Sequence, residues 1–592
     1  MGTTPVAARP TCSTLWDVGV PMRDGVRLSA DVHLPAAGHG SGPFPAVLQR
    51  TPYSKQRQNG VDYARYLTAY GYAVVVQDVR GRHDSEGDWV PFRKEGPDGY
   101  DTVEWIAEQP WSSGDVATMG GSYSGWCQWA LAMERPPHLR TMVSTATSGK
   151  WMEEHPFHNG CLMLGLFAWL NLVGGRVLQD PQLTADWETI FRDLPLRTMD
   201  ERLGRDVPTW REWLCHPTLD DYWQTLRADA HFPELDVPVL HITGWYDADA
   251  PGSMYFYEGM VNRSRRRDAQ RLVVGPWDHG GTRVPVRHLG GVDFGPESVI
   301  DMPELHRTWF DRWLRRDQAD DPDRVEASGA RVFLTGADRW QDLPSWPPPD
   351  VALVPLYLRS DGAAHREPDD GRLTWVPPDS AETADEYVYD PADPVPSVSD
   401  PNFYSPTADE TPLDRHFQYD RDDVAVYTGD PTTTELTLTG EPVLHLFAST
   451  DGLDTDWFAA LHDVAPDGSS MLLVEGRLRA RFRTSLSTET LLEPGEVYEF
   501  TFRLDAVGHL LRRGHRLRLT VTSSDYPTWD RNPNTGSALG QDDVVRVAVN
   551  RIHHGPDTAS RLELPLAGLT GGPAVPAGRR APARRGSRRA VR

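Results

Sequence analysis

The chain has 592 residues, 39% hydrophobic and 10% aromatic with 21 Trp, enough for more than one sizeable core and far from a disordered composition. Its formal net charge of −25 argues against general nucleic-acid binding. No apolar run approaches the ~18 residues of a membrane span, the cysteines Cys12, Cys127, Cys161 and Cys215 are too scattered for a disulfide framework, and "MGTTPVAARPTCSTLW" lacks an apolar stretch of signal length, so a soluble cytoplasmic protein is expected.

From residue 44 to about 147, apolar runs alternate with helical patterns. "PAVLQ", "AVVVQDV", "VATMG" and "LRTMVSTAT" read as strands. "DYARYLTAYGY", "GYDTVEWIAEQP" and "WCQWALAMER" read as helices, the last two stopped by Pro110 and by Pro136–Pro137. Val-rich strands separated by helices imply a parallel sheet covered on both faces. Between about 150 and 235 the rhythm stops, and a mostly helical insertion rich in Trp, Leu, Arg and Asp is expected. Strands resume at "VPVLHITG" and "RLVVGP", and "MPELHRTWFDRWLRR" carries Leu305, Trp309, Phe310, Trp313 and Leu314 on one helical stripe. After the Pro-rich joint "SWPPPD", short alternating segments such as "VPLYLRS", "TELTLTG", "PVLHLFAS" and "HRLRLTVTSS" imply a β-sandwich or jelly roll. The expected division is an α/β core over 1–147 and 236–350, a helical cap over 148–235, a β domain over 351–567 and a tail over 568–592. Residues 569–592 hold seven Arg and no acid, which reads as a disordered appendage or, less readily, a basic binding arm.

The stretch "VATMGGSYSGW" puts Ser122 between a strand and a helix, among Gly120, Gly121 and Gly125. A turn that thrusts a nucleophilic serine forward needs small neighbours, because its backbone is strained. The usual glycine two residues after the serine is here Ser124, so an ordinary strand-to-helix turn stays open on this stretch alone. A serine hydroxyl needs a base, and the base an orienting acid. Asp247 follows the strand in "VPVLHITGWYDAD", and His279 follows the next in "RLVVGPWDHGG". The order Ser122, Asp247, His279, each at a strand's carboxyl end, is the one a catalytic triad on such a sheet requires. Asp278 is the neighbouring acid that competes for the same role. An oxyanion site calls for two donors. One is the Tyr123 amide; the other belongs in the loop "RTPYSK", where Tyr53 either presents its phenol or simply packs.

These motifs resemble those of the cocaine esterase and X-prolyl dipeptidyl-peptidase family of α/β-hydrolases. The resemblance runs from "VPMRDGVRLSADVHLP" to "NRIHHGPDTASRLELP" and includes "RTPY", "QDVRGRHDSEGDWVPF", "GGSYSG", "GWYD", "GPWDHG", "YDPADPVPS" and "DRNPNTGS". It implies an α/β-hydrolase with a helical cap insertion and a C-terminal all-β jelly roll. It implies a serine esterase or acyl hydrolase forming an acyl-enzyme on Ser122, with Asp247 and His279 completing the triad and the Tyr53 hydroxyl and Tyr123 amide as oxyanion donors. No cofactor, metal, nucleic acid or membrane is expected; the partner is a small-molecule ester or amide, and family habit points to a homodimer.

Family members cleave aryl esters, α-amino acid esters and β-lactam amides, or X-Pro peptides. Phe157 and Trp169 of the cap and Phe403 and Tyr404 of the jelly roll are candidates for the acyl pocket, although each is equally at home in a core. Two residues after Asp247 the cocaine-cleaving type resembles an aromatic, whereas this chain has Asp249. The amino acid ester hydrolases carry a carboxylate cluster there that holds an ammonium group; here it is incomplete, since the next residue is Ala250. Alternatively, Asp249 caps a helix beginning near Pro251. The rival readings are an α-amino acid ester hydrolase or X-Pro peptidase, and a non-catalytic binding protein with a vestigial triad. "HPFHNGC" spaces His155, His158 and Cys161 three apart but lacks a fourth zinc ligand.

Overall fold

The structure, a computed structural model, describes residues 12–36, 42–179, 185–315, 325–367, 369–397 and 414–568. A hairpin, β1 (Ser13–Pro21) and β2 (Arg27–Leu34), opens the chain. Then β3 (Phe44–Thr51), α1 (Gln58–Thr68), β4 (Ala73–Asp78), α2 (Glu95–Ala107), β5 (Ser112–Gly121), α3 (Tyr123–Glu134) and β6 (Leu139–Thr145) alternate. After the cap come β9 (Val239–Tyr246), α9 (Ala250–Arg263), β10 (Gln270–Asp278), a separate hairpin of β11 (His288–Leu289) and β12 (Val292–Asp293), α10 (Met302–Leu314) and the strands β13 (Gly329–Leu334) and β14 (Arg339–Leu343). The strands outside that hairpin form one sheet in the order β1-β2-β4-β3-β5-β6-β9-β10-β13-β14. Its centre, from β4 to β13, is parallel; the two edges are antiparallel.

The period of two along β4 shows why it sits inside. Val74 and Val76 pack with Leu67, Trp309 and Phe310 beneath α1 and α10. Ala73 and Val75 pack on the opposite face with Val103, Ile106 and Leu131 beneath α2 and α3. The helix expected from Gly99 begins at Glu95 instead. Glu95-Gly96-Pro97 has the composition of a loop, but the Glu95 carboxylate is buried in the first turn on Arg50, at 3.0 Å, and that distant partner allows the helix to start there.

The cap over residues 148–235 is irregular. Two short strands, β7 (Phe157–His158) and β8 (Cys161–Leu162), interrupt the expected helical texture. They precede the helices α4 (Gly165–Val173), α5 (Trp187–Arg192), α6 (Met199–Arg202), α7 (Pro208–Leu214) and α8 (Asp221–Gln224). Trp151, Trp187, Trp210, Trp213 and Trp223 share one core with Trp126 and Trp129 of α3, so the helix that follows the Ser122 turn, or elbow, belongs to the core and to the cap.

The C-terminal part is a β-sandwich with a core of its own, including Tyr387, Trp457, Leu461, Phe500 and Leu519. Its strands pair antiparallel except where Arg372–Thr374 runs parallel to Ala425–Gly429. The "DRNPNTGS" segment ties it to the cap. Asp530 accepts the Leu162 amide at 2.7 Å and pairs with Arg479 at 2.9 Å, both side chains buried. No helix among the described residues is long and apolar enough to cross a membrane.

Candidate active site

The stretch around Ser122 has a physical explanation in the backbone. Ser122 has φ 62° and ψ −131°, a region a non-glycine residue occupies at a cost of about 1–3 kcal/mol. Its amide donates to the Ala146 carbonyl at 2.8 Å, and its carbonyl accepts the Gly125 amide, opening α3. Gly120 has φ 147°, and a Cβ there would lie 2.7 Å from the Ser124 Cβ. A Cβ on Gly125 would lie 2.1 Å from Thr147 Oγ1. Ser124 is tolerated where a glycine was expected because Gly120 makes the room.

Beneath the elbow, the Tyr123 hydroxyl donates to Glu95 Oε1 at 2.7 Å and accepts the Phe92 amide at 2.9 Å. The Tyr123 amide is the first of α3 and has no intrahelical acceptor, as at any helix N-terminus. Tyr53 follows β3 by two residues. Its hydroxyl accepts the Trp169 indole N–H at 3.1 Å and lies beside the Ser122 side chain. Burial pushes the phenol above its ordinary value, so it stays a neutral donor.

Asp247 lies one residue past β9, and His279 one residue past β10. His279 Nδ1 is 2.8 Å from Asp247 Oδ1. Asp247 Oδ1 also accepts the Asp249 amide at 3.0 Å, and Oδ2 the Thr243 hydroxyl at 2.8 Å. Nδ1 donating to this fixed carboxylate sets the ring's tautomer and turns Nε2 away from Asp247, where Nε2 meets Arg283 Nη2 at 2.8 Å. Asp278, the rival acid, accepts the Gly281 amide at 2.7 Å and shapes the turn after His279.

Asp249 occupies the backbone position before α9, but its side chain makes no capping bond. Instead Oδ1 is 2.6 Å from His155 Nε2, and Oδ2 is 3.8 Å from His279 Nδ1. Burial opposes its charge, yet His279 and His155 outweigh it and hold Asp249 below the ordinary carboxylate value. Burial likewise opposes a charge on His155, but Asp249 prevails and its pKa is raised. Burial raises Glu154 to about 8. Donor atoms of Glu154, His155 and Asp249 lie within 4.8 Å of one another. The raised His155 and lowered Asp249 favour an imidazolium–carboxylate pair beside a Glu154 that keeps its proton, an arrangement whose charges offset one another. A metal ion would have to displace two protons. His158 takes a different partner, Arg477 Nη1 at 2.9 Å, and Cys161 is buried against Phe458 and Trp529.

Residues 24–281 match the X-Pro dipeptidyl-peptidase family (S15), and residues 318–563 match the X-Pro dipeptidyl-peptidase C-terminal non-catalytic domain. The chain is 35% identical over 581 residues to cocaine esterase of Rhodococcus sp. (strain MB1 Bresler), covering 93% of this chain and 98% of that one. The chain belongs to the cocaine esterase and X-prolyl dipeptidyl-peptidase family. Two solved structures share its whole architecture. An aminopeptidase from a marine sediment archaeon, Thaumarchaeota archaeon, superposes with a TM-score of 0.84 at 27% identity, covering 96% of this chain and 98% of that one. An α-amino acid ester hydrolase superposes with a TM-score of 0.83, with the same identity and coverage.

Within this family member, the expected pocket residues separate. Trp169, on α4, reaches Tyr53 and stacks on Phe92 at 5.9 Å. Phe157 does not join them: it is fully buried in the cap core, edge-on to Trp223 at 6.4 Å. Phe403 and Tyr404 lie outside the described residues, as does the tail from 569. Sequence reasoning missed Trp89 and Phe92, which with Tyr123 and Trp169 line one aromatic cluster. The "SEGDWVPF" stretch carried that signal in its two aromatics. It also missed His155 as the partner of Asp249, and Arg283.

Proposed function

We propose that Ser122, His279 and Asp247 act as the catalytic triad of a serine hydrolase that cleaves esters or amides of small acyl groups. The observation that carries this reading is the strained Ser122 at the head of α3, at the same carboxyl end of the parallel strands as a histidine already oriented by a carboxylate. His279 Nε2 takes the Ser122 proton as Oγ attacks the carbonyl carbon. Tyr53 Oη and the Tyr123 amide donate to the oxygen as it gains charge. His279 then returns the proton to the leaving oxygen or nitrogen, the acyl-enzyme remains on Ser122, and water repeats the steps to release the acid.

The near-neutral Glu154–His155–Asp249 cluster and the Trp169–Phe92 cluster favour a neutral, partly aromatic acyl group. A second reading rests on Asp249, whose carboxylate faces the site instead of capping α9: an α-amino acyl group whose ammonium competes with His155 for that carboxylate. The test is Ser122→Ala. Loss of the nucleophile should cost about 10⁴–10⁶ in kcat and abolish labelling by a fluorophosphonate probe, with the fold unchanged by circular dichroism. A variant that keeps a tenth of wild-type ester hydrolysis removes Ser122 from this role.

A further inference from the structure

A guanidinium rests on His279. Arg283 lies four residues past His279, directly after Gly280-Gly281-Thr282 of the same turn. Its Nη1 donates to the His279 carbonyl at 2.7 Å, and its Nη2 donates to His279 Nε2 at 2.8 Å. Its Nε is 2.7 Å from where a Cβ on Gly121 would stand, so the guanidinium folds across the elbow beside Ser122, and only a glycine at 121 permits it. Tyr53 and Asp249 both feel its charge. No carboxylate oxygen among the described residues lies within 4.0 Å of it.

Two features of this placement carry meaning. The Nε2 lone pair is the one that must receive the serine proton, and a guanidinium N–H now occupies it. Turnover therefore requires Arg283 to move off, which a better acceptor would bring about. Nε2 is also the atom that hands its proton to the departing group, so a side chain resting on Nε2 lies on the leaving-group side of the scissile bond, opposite the acyl pocket. A guanidinium matches a carboxylate with two parallel charge-assisted hydrogen bonds, stronger than its present bond to a neutral imidazole.

We propose that Arg283 is a specificity-determining residue that binds a carboxylate on the leaving group, making esters and amides of hydroxy or amino carboxylic acids the favoured substrate class. The inference rests on the hydrolase reading above. Binding draws the guanidinium from His279 Nε2 to the substrate carboxylate, and the freed lone pair accepts the Ser122 proton. As the tetrahedral intermediate collapses, the acyl C–O or C–N bond breaks, and Nε2–H protonates the leaving oxygen or nitrogen. The product departs as a hydroxy or amino carboxylate, its carboxylate still opposite Arg283.

The experiment compares two substrates with one acyl group: 3-acetoxybenzoate and its methyl ester, methyl 3-acetoxybenzoate. The wild type should favour the charged ester in kcat/KM by about tenfold to a hundredfold, the range of a charge-assisted bidentate contact. In Arg283→Gln the ratio should collapse toward one, with the charged ester falling and the methyl ester rising as Nε2 is released. Arg283→Lys, which keeps the charge but not the fork, should fall between. A wild-type ratio of one or less, or a preference that survives in Arg283→Gln, overturns the proposal. Binding of the same two esters to Ser122→Ala, by calorimetry, separates the two claims. If the wild type hydrolyses neither ester, the hydrolase reading fails. Arg283 is then judged by whether Ser122→Ala binds the charged ester more tightly and the Ser122→Ala/Arg283→Gln protein does not.

Discussion

His155 Nε2 lies 2.6 Å from Asp249 Oδ1, and the pair spans 94 residues of sequence to join the cap to the loop that carries Asp247. Asp249 is depressed and His155 raised, so the sign of each contribution is set. The carboxylate's part is lost as pH falls through its lowered pKa, below ~3.9; the imidazole's part is full below ~6.5 and lost as pH rises through its raised pKa. His155 is thus placed and biased to serve as the counter-ion of Asp249.

That pairing predicts little discrimination by the wild type between an α-amino acyl ester and its des-amino analogue. His155→Gln keeps a hydrogen-bond donor but removes the counter-charge. It should create a preference for the α-amino ester of roughly tenfold in kcat/KM, the size of one charge-assisted hydrogen bond. Kinetics with both esters on both proteins check this. A strong amine preference already present in the wild type would instead support the second reading of Asp249.

Glu154 leads to a stability prediction. Its folded pKa of about 8 exceeds the unfolded value of ~4.3. Between these values the native state holds a proton that the unfolded state has released. Stability therefore falls as pH rises, by up to about 1.4 kcal/mol per pH unit from this group. Glu154→Gln removes that term. Urea unfolding at pH 5, 6, 7 and 8 should show a shallower decline for the variant, and parallel curves would refute the assignment.

Tyr53→Phe keeps the ring beside Trp169 and deletes the donor next to Ser122. If the hydroxyl stabilises the developing oxyanion, kcat should fall by about 10²–10³ with KM little changed. Stopped-assay kinetics on a p-nitrophenyl ester measure both. A nearly normal kcat leaves Tyr53 with a packing role.

Gly125→Ala forces a methyl group against Thr147 Oγ1, which is buried and bonded to Ser144 at 2.8 Å. The overpacking should cost about 1–3 kcal/mol and lower kcat by displacing the turn that holds Ser122. Thr147→Ala in the same protein removes the obstructing hydroxyl and should recover most of the lost midpoint in thermal unfolding. Failure of that rescue would place the strain elsewhere.

The alternation of Val-rich runs with helical patterns made the parallel centre of the sheet legible, since burial on both faces leaves a local, periodic mark. The N-terminal hairpin of β1 and β2 escaped notice: β1 lies at the sheet edge, and half of it is exposed, so it carries no continuous apolar run. The same edge effect hid β14, whose residues are mostly exposed.

At the site, chain order alone put Ser122, Asp247 and His279 at the ends of three strands, because strand ends and glycine-lined turns are written locally. Which side chains meet there was decided only by the tertiary structure. Asp249 turns to His155, Glu95 is buried on Arg50 beneath Tyr123, Phe157 enters the cap core and Arg283 folds across Gly121. Burial period and turn chemistry act within a few neighbouring residues. Charge pairing, side-chain direction and pKa depend on atoms brought together through space from segments dozens of residues apart, and a linear sequence carries no local sign of them.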